Sequence, residues 1–215
     1  MEELQLLVNH GANINQKVAA DAETPTPLMR AAKHGRYDFV KYLLANSVDA
    51  STKNEKGDDA LMLALLNHHK RCAEALLNHG VSTGGNSLST QSSITVAIKA
   101  KWFKIATKLI IRGADLEIQD EQSWTPLMHA VAIGNLHTVK MLVDKGAFLN
   151  AAGVNAEQDG ANEDKSQETA LNIAIRKGFY DIAALLLTSG SSVTLATDMN
   201  PDLSRHGYVP VLAAE

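Results

Sequence analysis

Leu28, Leu61, Ile94 and Leu127 are evenly spaced, and their period of about 33 residues constrains this chain more than any other feature. With Leu171 as a fifth anchor, the last step is longer than the others by 11. Val211, somewhat more than one period further on, is a candidate sixth anchor. Other columns keep the same step. Ala31, Ala64, Ala97, Ala130 and Ala174 stand three after each anchor, and Thr26, Asp59, Ser92, Thr125 and Thr169 stand two before. Apolar pairs recur further on at Leu43-Leu44, Leu76-Leu77, Leu109-Ile110, Leu142-Val143 and Leu186-Leu187. A terminating column reads Ser47, Gly80, Gly113, Gly146 and Gly190.

The unit is clearest at Trp124–Asn150, WTPLMHAVAIGNLHTVKMLVDKGAFLN. Thr125 is a good N-cap, because its hydroxyl can accept from an orphan amide of the first turn. Pro126 suits the first helical position, where no amide partner is lost. Leu127, Ala130 and Val131 share one helical face, and Gly134 supplies a left-handed stop. Leu136, Val139, Leu142 and Val143 form the apolar face of a second helix, which Gly146 ends. Such a helix–turn–helix cannot bury its apolar face alone, so it must stack on copies of itself.

The segment Thr125-Pro126-Leu127-Met128-His129-Ala130, repeated at this period, resembles the ankyrin repeat, whose pattern is T-P-L-H-x-A. The resemblance implies an all-α ankyrin-repeat solenoid of helix–turn–helix units with β-hairpin-like finger loops. The expected division is a partial repeat at 1–21 and full repeats at 22–54, 55–87, 88–120, 121–152 and 166–193. An insertion occupies 153–165, and a connection with the start of a further repeat occupies 194–215. In the partial repeat Leu4, Leu7 and Val8 form an apolar face, and Gly11-Ala12-Asn13-Ile14-Asn15 matches the family's G-A-D-V-N ending. The chain begins and ends inside repeats, so it is expected to be a fragment of a longer array. The insertion is polar and acidic and reads as a longer finger or flexible loop.

Two repeats depart from the pattern. His68 and Lys101 stand where Gly35 and Gly134 end the first helix. A non-Gly residue in a left-handed turn costs roughly 1 kcal/mol, so these turns are either strained or built differently.

Composition bounds the function. The net charge of −4 does not suggest nucleic acid. The balance is uneven: residues 1–107 sum to +2 and residues 108–215 to −6. Cys72 is the single cysteine, so no internal disulfide forms; it shares a column with Phe39, Ile105, Thr138 and Ile182, on the packed side of the second helix. There is no apolar run long enough to span a bilayer and no signal-peptide pattern, so an intracellular setting is the expectation, cytoplasmic or nuclear. None of the eight His makes an HExxH or zinc-spaced cluster. Phosphate-loop, dinucleotide and nucleophile-elbow motifs are missing. No catalytic residue, metal or cofactor is expected, and a monomer is the default.

By resemblance, partners lie on the concave side, against finger loops and first helices. The columns expected there are the finger tips Pro25, Asp58, Gln91, Trp124 and Glu168; Arg30, Leu63, Val96, His129 and Ile173; Lys33, Leu66, Lys99, Ala132 and Arg176; and His34, Asn67, Ala100, Ile133 and Lys177. The partner-binding set is Trp124, Leu63, Leu66, His129 and Ile133 as an apolar centre, with Arg30, Lys33, Lys99 and Arg176 as a charged rim, as in protein interfaces. Trp124 is the expected hot spot, exposed enough that its loss would change stability little; Trp102 is a weaker candidate. A non-catalytic protein-interaction module of a scaffold or adaptor is the leading reading. Alternatives are a targeting arm of an enzyme or effector, such as a ubiquitin-ligase subunit or a secreted bacterial effector, and a basic ridge of Arg30, Lys33, Lys70, Arg71, Lys99, Lys101 and Lys104 for an anionic ligand. A spacer or oligomer interface is a further possibility.

Overall fold

A computed structural model of the chain describes residues 10–17, 22–81, 92–154 and 167–192. The helix assigned to 1–9, the column member Gln91, most of the insertion and the terminal segment from 193 on lie outside these. The chain divides into two compact units, Met1–Asp120 and Glu121–Glu215, at the boundary expected between the third and fourth full repeats.

The first unit holds α1 (Pro27–Lys33), α2 (Tyr37–Ala45), α3 (Ala60–Leu66), α4 (Lys70–His79), α5 (Ser93–Lys99) and α6 (Phe103–Ile111). The second holds α7 (Pro126–Ile133), α8 (Leu136–Asp144), β1 (Gly153–Val154), β2 (Gln167–Glu168), α9 (Ala170–Arg176) and α10 (Tyr180–Thr188). The first helix of every repeat starts in the same way. Thr26, Asp59, Ser92, Thr125 and Thr169 each accept the backbone N–H three residues on, at 2.8–3.3 Å. Each cap satisfies a donor that the helix cannot.

Within each unit the repeats stack in two layers. First helices α1, α3 and α5 pack in series, and second helices α2, α4 and α6 pack in series. In the second unit α7 packs on α9 and α8 on α10. The seams are filled by Leu28, Leu61, Leu65, Leu76, Leu109, Leu127, Leu142 and Leu186, all buried. Each such side chain contributes about 1.5–3 kcal/mol on leaving water. Cys72 is buried among them, and burial pushes its thiol pKa up. The structure places it as an unreactive core residue.

The turn after the first helix is the same in all five repeats. Gly35, His68, Lys101, Gly134 and Gly178 have φ of 66°, 60°, 58°, 76° and 71°. His68 and Lys101 therefore keep the left-handed turn and bear its strain, at about 1 kcal/mol each. Ser47 does likewise in the terminating column, at φ 56°. The turn residue also seats the next repeat. A Cβ on Gly35 would lie 2.5 Å from the ring of His69, and one on Gly134 would lie 2.8 Å from that of Phe179. Where His68 replaces glycine, the next repeat's Trp102 meets it edge-on, with centroids 6.2 Å apart. Below the second helices the Asn15 side-chain oxygen accepts the Asp49 N–H, and that of Asn150 accepts the Ser192 N–H, both at 2.8 Å.

The first residues of the insertion and the start of the repeat after it form a short antiparallel ribbon, Gly153 opposite Glu168 and Val154 opposite Gln167. Residues 155–166, which carry most of the insertion read as a longer finger or flexible loop, lie outside the described residues.

Candidate interaction surface

The expected finger-tip column is not a tip. Asp58, Trp124 and Glu168 are buried, and Pro25 is half-buried. The chain turns a few positions earlier. Glu55 and Lys56 in the first unit, and Glu121 and Gln122 in the second, are exposed or half-exposed turn residues. Gly57 at φ 80° and Ser123 at φ 59° then send the backbone back under the loop. The Asn54 side-chain oxygen fixes this bend by accepting from Lys56 N at 3.0 Å and Asp58 N at 2.8 Å.

Trp124 is the largest correction. It is 9% exposed rather than a projecting anchor. Its indole N–H donates to the Val154 carbonyl at 2.8 Å, and its ring lies 5.2 Å from that of His129. A Cβ on Gly153 would come within 2.6 Å of Trp124 Cδ1, so glycine at the start of β1 is what lets the ribbon cover the indole.

The first-helix columns are corrected in part. Leu63 is 3% exposed, and Val96 and Ile173 are also buried. Each faces a seam, because α3 lies between α1 and α5, α5 packs on α3, and α9 on α7. Leu66, at 36%, stays exposed, as does Arg30; His129, Ala132 and Ile133 are half-exposed.

The charged rim is mostly committed to partners inside the chain. Lys33 Nζ lies 2.6 Å from Glu23 Oε2, and Lys99 Nζ lies 3.8 Å from Asp120 Oδ2. Arg176 makes a two-point pair with the buried Glu168, Nε to Oε1 at 2.7 Å and Nη2 to Oε2 at 3.2 Å. These cations orient the finger acids. In the first unit the result is a column of two tethered lysines with exposed Leu66 between them.

Two carboxylates differ from the ordinary range for physical reasons. Burial raises Asp59 at the α3 N-cap, opposed by the Met62 N–H it accepts. Hydrogen bonds from the Ser51 hydroxyl and N–H and from Thr52 lower Asp49. A depression of about 260 Å³ in the second unit is lined by Leu136, Phe179, Tyr180, Asp181 and Ile182, with a single carboxylate. Among the described residues no group of three His, Cys, Asp or Glu is placed to hold a metal. Among them, too, no helix is long and apolar enough to cross a membrane.

A family model described as ankyrin repeats matches in three copies, over residues 1–87, 28–120 and 94–197. The chain is 28% identical over 188 residues to a transient receptor potential cation channel subfamily A member 1 homolog of Caenorhabditis elegans, covering 87% of this chain and 14% of that protein. It is 27% identical to ankyrin repeat and KH domain-containing protein mask-1 of the same organism, over 87% of this chain and 7% of that one. It is 29% identical to E3 ubiquitin-protein ligase XBAT32 of Arabidopsis thaliana, over 76% of this chain and 30% of that one. The chain thus spans less than a third of each relative. Ankyrin repeats are protein–protein interaction modules and are generally non-catalytic. Period, caps, left-handed turns and the family match agree that this chain belongs to the ankyrin-repeat family.

Proposed function

We propose that this chain is a non-catalytic interaction module of a scaffold or adaptor, holding a peptide or protein partner against its first helices and finger tips. The observation that carries this reading is Leu66. Among the described residues it is one of six large apolar side chains left exposed, at 36%, and its column places it between Lys33 and Lys99, whose charges are tied to Glu23 and Asp120. An apolar contact with a fixed polar rim suits a partner that brings its own apolar side chain. Glu55 and Lys56 at the adjacent finger tip supply polar contacts. In the second unit His129, Ile133 and Arg176 are the equivalent contacts. An intracellular setting goes with this reading, since the one thiol is buried and no disulfide braces the fold.

Selection of binders from a random peptide library displayed on phage tests it. Binders recovered with the wild type should be lost on Leu66→Glu, once that variant is shown to melt like the wild type. Binders retained equally by both would remove the first-helix face from the account. A second reading is favoured by the likeness to a ubiquitin ligase: the same surface would then select substrates for an activity elsewhere in a longer protein. Ubiquitin transfer to a captured partner by the full-length protein separates this from the scaffold reading.

A further inference from the structure

Residues 60–114 contain seven Lys or Arg and a single acid, Glu74, a net of +6 within a chain of net −4. The remaining residues therefore sum to −10. Several of these cations are already engaged. Lys99 pairs with Asp120, Lys108 Nζ donates to Asn78 Oδ1 at 2.6 Å, and Arg112 reaches the Val81 carbonyl at 3.5 Å. Lys70, Lys101 and Lys104 are all exposed, and none of the three takes part in an ion pair among the described residues. Lys101 is the left-handed turn residue of the third full repeat, and Lys70 and Lys104 lie in the opening turns of α4 and α6 that follow the turns of the second and third. Exposed Arg71 joins them, its guanidinium stacked 4.2 Å from the centroid of Tyr37 in the preceding repeat.

We propose that these turns, within the first unit, form a basic ridge that takes an extended acidic segment of a partner protein. The ridge uses residues other than the first-helix contacts above. Its spacing suits an extended chain. Stacked helices lie about 8–10 Å apart and a strand rises about 3.3 Å per residue, so one acid in about every three residues meets each repeat. Range suits a short segment: at physiological salt a charge is felt over about 8 Å, so a short acidic peptide meets the ridge's own cations. The rings present do not offer a stacking platform for single strands. Arg71 lies over the Tyr37 face, and Trp102 is half-buried against His68. Membrane insertion needs apolar side chains projecting with the cations, whereas residues 67–69 and 100–102 supply Asn, His, His, Ala, Lys and that half-buried Trp.

Fluorescence anisotropy with a labelled poly-glutamate peptide tests the proposal. The peptide should bind, more weakly as salt rises, and Lys70→Glu with Lys104→Glu should weaken it by at least about tenfold, the sum of two modest ion pairs and their reversal. Reversing two exposed lysines of the second unit, Lys140→Glu with Lys145→Glu, should change it by less than about twofold. Circular dichroism melts matching the wild type establish that both variants fold. Undetectable peptide binding, or equal weakening by both reversals, overturns the proposal. So does tighter binding of a labelled single-stranded RNA or of phosphatidylserine vesicles that depends on Lys70 and Lys104.

Discussion

Gly134 and Gly146 both hold left-handed backbone in the second unit, at φ 76° and 84°, yet their surroundings differ. A methyl group on Gly146 meets nothing within 4 Å. Gly146→Ala therefore adds conformational strain alone, about 1 kcal/mol. A methyl group on Gly134 would lie 2.8, 3.0 and 3.1 Å from three carbons of the Phe179 ring, well inside the contact distance of about 3.5–4.0 Å. Phe179 precedes α10 and is half-buried, so relief requires the next repeat to withdraw from the turn. Overpacking of that kind costs about 1–3 kcal/mol, bringing Gly134→Ala to about 2–4 kcal/mol. Urea unfolding followed by far-ultraviolet circular dichroism reads both, given an unchanged m-value. In a Phe179→Ala background the excess at Gly134 should vanish, since the two residues then no longer touch. Equal losses for the two glycine variants, or an excess that survives without the ring, would refute the seating of one repeat's turn on the next.

Three further outcomes follow from burial. Trp124→Ala should cost about 3 kcal/mol of stability, the low end for a buried aromatic, because it removes both the packed indole and its bond to Val154; a melt indistinguishable from wild type refutes this. Thr138 is buried with its hydroxyl unpartnered among the described residues, in a column otherwise occupied by Phe39, Cys72, Ile105 and Ile182. Thr138→Val keeps the shape and removes the stranded donor, so it should stabilise by about 1 kcal/mol, read as a midpoint rise of about 2–4 °C; a fall would contradict it. Asp59 has a folded pKa above its ordinary value of 3.8, so folding disfavours its ionised form. That cost is fully present above the folded pKa and is lost as pH falls below the ordinary value. Asparagine caps as well as aspartate, so Asp59→Asn should melt higher than wild type at pH 7 and lose the advantage near pH 3. No advantage at pH 7 would show that the cap's hydrogen bonds outweigh its burial.

The fold was legible because each repeat states it again. The caps Thr26 to Thr169 and the glycine columns are local chemistry, readable from residue type and spacing. The exceptions were readable only in part: at His68 and Lys101 residue type left a strained turn or a different one open, and both keep the left-handed turn. The candidate surface was less legible, for three physical reasons. Placing Trp124 required knowing that Gly153 brings a strand across it, a contact between distant parts of the chain that no column records. The true finger tips at Glu55-Lys56 and Glu121-Gln122 were signalled only by Gly57, because Ser123 takes the same conformation without a glycine. The acids that tether Lys33, Lys99 and Arg176 come from three different positions relative to their anchors, so no period reveals them. Leu63 and Leu66 lie one helical turn apart in α3, and only the packing of α1 and α5 against it decides that one is buried and the other exposed.

Amide hydrogen exchange with and without a library-selected peptide tests the proposed partner site on the first helices and finger tips. Bound peptide should slow exchange at the finger around Glu55-Lys56 and along α3, and the Leu66→Glu variant should show none of that protection. Protection confined to the second helices, or unchanged by Leu66→Glu, would contradict it.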